Sequence, residues 1–303
     1  MLFRFTTFNH CRQGQIIVED ITRILGGQLL TLGHEVAWSN DGFVPGRDAM
    51  NVVLESFADD PRTIERMVAA RFAGCRFLIV ATEEPTAAGF NHGLEPAMID
   101  RQNAFPAAAK LSDGILHLMP GDHVTRWYQQ FAPAAYAEIG HAPDLVEDPD
   151  VVEPDCDFGF YGKITWRREQ MLAQLEQLSG TSIVRITSLD VPRRQRDATM
   201  RQARVIVQIR ANDEWGMVSS TRCATALSFG RPVVAEPHPF SKPWDGVVHF
   251  SATVESFYED ALQAAKNWRA LHAQQLARFK ERLSPEVCVG RPLREIGIMK
   301  GTP

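Results

Sequence analysis

The residues best suited to chemistry lie between Arg204 and Glu236. An apolar run at 205–209 leads into a polar stretch holding Arg210 and Glu214, then into Ser219, Ser220, Thr221 and Arg222 at the start of a predicted helix. In open parallel sheets, ligands bind beyond the carboxyl ends of strands, where loops feed helix N-termini. A helix start offers unbonded backbone N–H groups, and hydroxyls add further donors. Holding a diphosphate is the chemistry these residue types suit. The helix dipole would contribute roughly 0.3–2 kcal/mol, and each charge-assisted bond from Arg210 or Arg222 about 1.5–3 kcal/mol. The plainer reading stays open, with Ser219 or Ser220 a helix cap and Arg222 a solvated side chain.

A second junction of this kind is 158–168. A short apolar run ends at Gly162, Lys163 follows, and Thr165 is placed to cap a helix that opens with Arg167 and Arg168. Glu236, just past the apolar run 233–235, is a candidate for a ribose hydroxyl or else a loop acid. In the first half, a general base needs a pKa near neutrality and reach to a hydroxyl. His10, Glu55, Glu83 and Glu84 all follow apolar runs. Glu83 is the favoured base, since it follows the wholly apolar run 77–81 beside Glu84 and like charges raise a carboxyl pKa. His10 is its catalytic companion, with Asn9, Arg12, Gly14 and Glu84 on the acceptor side. His92, Asp100 and Arg101 are secondary, and each of these acids is also readable as a surface loop residue. His34 and His117 read as structural, and Trp127, Tyr128 and Phe131 as packing. The run Arg193, Arg194, Arg196 reads as an exposed loop that could also meet acidic lipid or an anionic acceptor.

The elements that must position these groups alternate along the chain. Strands are predicted at 2–8, 35–38, 51–57, 77–81 and 114–118, with helices at 16–32, 63–72 and 96–110 between them. Short apolar runs without alternation suit strands covered on both faces, and helical crossovers imply parallel pairing. Residues 142–157 then hold seven acids and three prolines and no basic residue, a composition that buries little. The pattern restarts with strands at 158–161, 183–186, 205–209 and 232–235, and helices at 166–178, 219–229 and 254–282. The expected organisation is a domain at 1–145, an acidic linker at 146–157 and a domain at 158–303. Both domains are α/β, Rossmann-like and parallel-sheet, facing a cleft.

Composition narrows the function classes. A chain of 303 residues fits two domains, and 45% hydrophobic with 23% charged residues is ordinary for a globular protein. The net charge of −5 argues against a nucleic-acid partner. Five scattered cysteines with no CxxC pair suggest reduced thiols and no zinc site. The start lacks a signal-peptide h-region and no run is long enough to span a bilayer. The expected location is therefore cytoplasmic, with peripheral membrane contact open.

Two motifs carry a family resemblance. The segment Glu214-Trp215-Gly216 followed by Ala226-Leu227-Ser228-Phe229-Gly230-Arg231-Pro232-Val233-Val234 resembles the donor-domain signature of GT-B glycosyltransferases. Leu29 to Val36, with Gly33-His34-Glu35-Val36, is similar to the end of that family's first helix and the entry to its second strand. The resemblance implies a glycosyltransferase with a nucleotide-diphosphate sugar on the second domain and a glycan, lipid-linked or protein acceptor on the first. It implies no cofactor and no metal. Gly162, Lys163, Arg210, Glu214, Ser219, Ser220, Thr221, Arg222 and Glu236 would serve the donor. One position departs: many retaining members carry a second glutamate eight residues after the first, and here that residue is Arg222. A GT-B-related sugar-nucleotide epimerase and a non-catalytic sugar-binding module are the alternatives. A dinucleotide enzyme ranks low because no GxGxxG follows a strand.

Overall fold

The computed structural model describes residues 1–10, 12–60, 62–93, 96–186, 191–213 and 216–300, without the side chains of Arg12, Gln13, Ile17 and Ile186. It divides into two compact units. One comprises Met1–Ile139 with the segment from Pro285 onward, the other Gly140–Ser284.

The first unit runs β1 (Leu2–Thr6), α1 (Arg12–Thr31), β2 (Glu35–Trp38), β3 (Ala49–Leu54), α2 (Arg62–Phe72), β4 (Phe77–Ala81), α3 (Pro96–Ala109), β5 (Gly114–His117), α4 (Asp122–Tyr128) and β6 (Ala134–Tyr136). All six strands pair in parallel in the order β2-β1-β3-β4-β5-β6. Every residue of β3 and β4 is buried, as expected of central strands with helices on both faces. The core joins Val53, Phe77, Ile79 and Ile115 to an aromatic group in which Trp127, Tyr128 and Phe131 pack around Phe105. Each such buried side chain contributes about 1.5–3 kcal/mol over its exposed state.

The second unit runs β7 (Cys156–Tyr161), α5 (Trp166–Ser179), β8 (Val184–Ile186), α6 (Arg193–Arg201), β9 (Ala203–Gln208), α7 (Ser220–Ser228), β10 (Val233–Ala235), β11 (His249–Phe250), α8 (Val254–Lys266) and α9 (Trp268–Arg282). Its parallel sheet has the order β11-β10-β9-β7-β8. Read from β8, this is the first unit's order without its last strand, although the two halves share no sequence repeat. Gly230 stands at φ +76, directly after the cap of α7, where a Cβ would meet the Pro149 backbone at 2.4 Å. The chain can turn there only as glycine.

Two stretches differ from the sequence expectation. The acidic segment belongs to the second unit rather than standing between domains. Glu147 pairs with Arg201 at 2.5 Å, and Asp150 and Glu153 with Arg269 at 2.8 and 2.7 Å. The Arg231 guanidinium, 1% exposed, donates to the carbonyls of Pro149 and Val152 and lies 4.8 Å over the Trp268 ring. The acids thus answer basic residues supplied by later elements. The segment from Pro285 returns to the first unit, where Gly290 lies close to Leu32 and Ile296 against Gly114. Arg193, Arg194 and Arg196, read as an exposed loop, lie in helix α6, and Arg196 is buried.

Candidate functional site

In a sheet of order 2-1-3-4-5, the switch point lies between the first and third strands. In the second unit these are β7 and β9. Gly162 follows β7 at φ +142, and a Cβ there would stand 2.8 Å from Arg222 Nη2. Only glycine lets that guanidinium lie against the turn. Arg222, in the first turn of α7, sits 5.8 Å from the Tyr161 ring centroid, and Arg196 lies 5.1 Å from the same centroid while donating to the Tyr161 hydroxyl at 2.9 Å. No carboxylate pairs with Arg222 among the described residues, and burial lowers its pKa. Arg168 is held beneath by the carbonyls of Ile209 and Lys163 at 2.9 and 2.8 Å. Burial, and then Arg222, pushes Arg168 down to about 10. This end of the sheet is cationic and short of counter-charge among the described residues.

The buried carboxylate of this end is Glu236, 0% exposed. It receives Arg167 through two bonds of 2.7 and 2.5 Å and the backbone N–H of Arg210, with Arg210 Nε 3.6 Å away. Expected as a ribose contact or a loop acid, Glu236 is observed as a buried counter-ion that fixes two arginines. Arg167 and Arg168, which could have been a solvated helix start, are built into this end of the sheet. Thr165 caps α5 and donates to Ala211 O at 2.7 Å. Ser219 occupies the N-cap position of α7 without a side-chain cap bond, and Ser220 Oγ accepts from Trp244 Nε1 at 3.0 Å. Thr221 is half-buried in the first turn, whereas Lys163 is exposed. Glu214 lies outside the described residues.

The first unit's switch point lies between β1 and β3. Glu55, directly after β3 and 1% exposed, accepts from Arg101 Nη2 at 2.6 Å and from the Thr82 hydroxyl at 3.0 Å. The same Arg101 nitrogen lies 3.1 Å from Glu83 Oε1. Burial, and then Glu83, pushes Glu55 up to about 7. Glu83 is held further by Asn91, which takes a left-handed turn at φ 50 to give its amide to the carboxylate, and by Tyr128, whose hydroxyl bonds the Glu83 carbonyl at 2.8 Å. Glu84 turns instead to His123 at 3.1 Å and His92 at 3.8 Å. Asn9 donates to Leu54 O at 2.7 Å, and beside it His10 is buried and lowered to about 4, first by desolvation and then by Arg101. Gly14 lies in the first turn of α1; the Arg12 side chain lies outside the description. His117 is structural, bonded to Met119 O and Thr125 Oγ1 at 2.9 Å each.

Sequence reasoning brought Asn9, His10 and Glu83 to one end of one sheet, and Gly162, Arg210 and Arg222 to one end of the other. It missed Arg196, Trp244 and the bridging role of Arg101. The spacing of Arg196, Asp197 and Met200, all buried on one face of α6, was the available signal for the first.

No family model and no curated protein matches the chain. Solved structures do. The structure of TarM matches with a TM-score of 0.54 at 9% identity, covering 84% of this chain and 56% of TarM. An α,α-trehalose 6-phosphate synthase from Burkholderia multivorans matches with a TM-score of 0.51 at 11% identity, covering 95% of this chain and 77% of the synthase. The chain thus spans just over half the length of TarM. It has a GT-B glycosyltransferase fold. Among the described residues no helix is long and apolar enough to cross a membrane, and no group of three or more His, Cys, Asp or Glu is placed to hold a metal ion.

Proposed function

We propose that the chain is a glycosyltransferase that binds a nucleotide-diphosphate sugar at the β7/β9 end of its second unit. One observation carries this reading: Arg222, against the Gly162 turn at the sheet's switch point, has no carboxylate partner among the described residues. A desolvated guanidinium beside a helix start is suited to a diphosphate. Arg222, Arg168 and the first-turn N–H groups of α7 would stabilise charge on the departing nucleotide, which is the largest part of such catalysis. The reading includes no cofactor, metal-independent transfer, a cytoplasmic location and no nucleic-acid partner. The acceptor, a glycan, lipid-linked or protein hydroxyl, is served by the first unit, with Glu83 receiving its proton, His10 beside it, and Asn9, Arg12, Gly14 and Glu84 on the acceptor side. On the donor side stand Gly162, Lys163, Arg210, Glu214, Ser219, Ser220, Thr221 and Arg222, with Glu236 holding Arg167 and Arg210 in place.

The test is incubation with UDP-, GDP-, CDP- and dTDP-sugars and a cell extract as acceptor source, followed by mass spectrometry. Transfer that survives chelator and disappears in Glu83→Gln, with nucleotide binding intact, is the expected result. Nucleotide binding without any transfer, in the wild type as well, would instead favour a binding module.

A further inference from the structure

The two switch points differ in what they leave unsatisfied. In the first unit, Asn9 Oδ1 and His10 Nε2 are buried atoms without a hydrogen-bond partner among the described residues. Asn9 is 1% exposed and His10 7%. The Asn9 amide nitrogen is committed to the Leu54 carbonyl, so its free oxygen can only accept. His10 is neutral at physiological pH and its ring donates to the Leu54 backbone, so its free Nε2 accepts. Arg101 Nε is also without a partner.

Charge points the same way. Glu55 and Glu83 share the one Arg101 guanidinium, and the Asp59 carboxylate also acts on it. Of the other described arginines nearby, Arg62 pairs with Asp60, and Arg66 lies over the Phe8 ring. A phosphate or carboxylate brought here would meet a bare acceptor and two carboxylates that already occupy the guanidinium. It is largely deprotonated at neutral pH and so a poor donor to Asn9. Hydroxyls donate to Asn9 Oδ1 and His10 Nε2 and accept from Arg101 Nε.

We infer that the β1/β3 end of the first unit takes an uncharged, polyhydroxylated molecule, a sugar or polyol without phosphate or carboxylate, and that this is the acceptor. The inference rests on the glycosyltransferase reading for the word acceptor, but the site stands on its own atoms. In transfer, the acceptor oxygen forms the new bond to the sugar's anomeric carbon and its proton passes to Glu83. The bond from that carbon to phosphate breaks, and its electron pair leaves on the nucleotide diphosphate.

Saturation-transfer NMR on the full chain tests this, with D-glucose, D-galactose and N-acetyl-D-glucosamine set against their 6-phosphates. At least one neutral sugar should bind at millimolar concentration, and its 6-phosphate should bind no better. Asn9→Ala and His10→Ala should each weaken the sugar about tenfold, the scale of one orphaned buried polar group. Arg222→Ala should leave it unchanged. Nucleotide binding by the Asn9 and His10 variants reports that they are folded, and His10→Gln should retain part of the affinity. A 6-phosphate that binds tighter than its parent sugar overturns the inference, as does the absence of any neutral-sugar signal up to tens of millimolar. Sugar binding without nucleotide binding would sink the transferase reading and leave the site.

Discussion

The two units share a strand order and oppose each other in charge. At the β1/β3 end of the first, two carboxylates, Glu55 and Glu83, divide one guanidinium. At the β7/β9 end of the second, Arg167 and Arg210 converge on one buried carboxylate, and Arg222 has none among the described residues. Topology fixes where each sheet can hold a ligand, because strand reversal opens a crevice at the same place in both. The side chains that fill the crevice decide what is held. On the proposed reading, one end receives negative charge and the other receives hydrogen-bond donors.

The sharpest way to break this contrast is to remove the second unit's anchor. Glu236→Ala should destabilise by about 3–5 kcal/mol, the cost of leaving buried charge unpaired. Thermal melting should show it as a clear loss of Tm. An unchanged melt would mean that water or solvent ions satisfy Arg167 and Arg210 and that the pocket is more open than described. Arg222→Ala should weaken nucleotide-diphosphate binding about ten- to hundredfold, from one or more lost charge-assisted bonds.

The first unit offers a smaller effect with a defined sign. Glu55 is pushed up to about 7 from an ordinary 4.5, so the folded state binds its proton more tightly than the unfolded chain does. Its contribution is complete below pH 4.5 and is lost as pH rises toward 7. The stability difference between wild type and Glu55→Gln should therefore fall across that window in unfolding titrations. His117 runs the other way. Burial lowers it to about 4 from 6.5, so its contribution is present above pH 6.5 and is lost as pH falls toward 4. His117→Gln should flatten that acid slope, and a slope unchanged in the variant would assign it to other groups.

Much of this was legible in the sequence. The apolar runs at 77–81 and 205–209 mark buried central strands because only doubly covered strands dispense with alternation. The glycines at 162 and 230 sit at strand and helix ends, where positive φ is required. Ion pairing was not legible, since partners lie far apart in the chain: Arg167 and Glu236 are 69 residues apart, Glu55 and Arg101 46. The same blindness made the acidic segment read as a linker, although Arg201, Arg231 and Arg269 hold it to the second unit. Glu236 was singled out as a ribose contact or a loop acid. Its role was hidden because nothing in the sequence shows which arginines reach it.

The central claim is that Arg222 and the Gly162 turn form a diphosphate site. Isothermal titration of UDP, GDP, CDP and dTDP into the wild type and Arg222→Ala tests it directly. At least one nucleotide should bind at or below about millimolar Kd, and the variant should bind it about tenfold more weakly or worse. Binding of equal strength in both proteins, or no binding of any of the four at several-fold higher concentration, would contradict it.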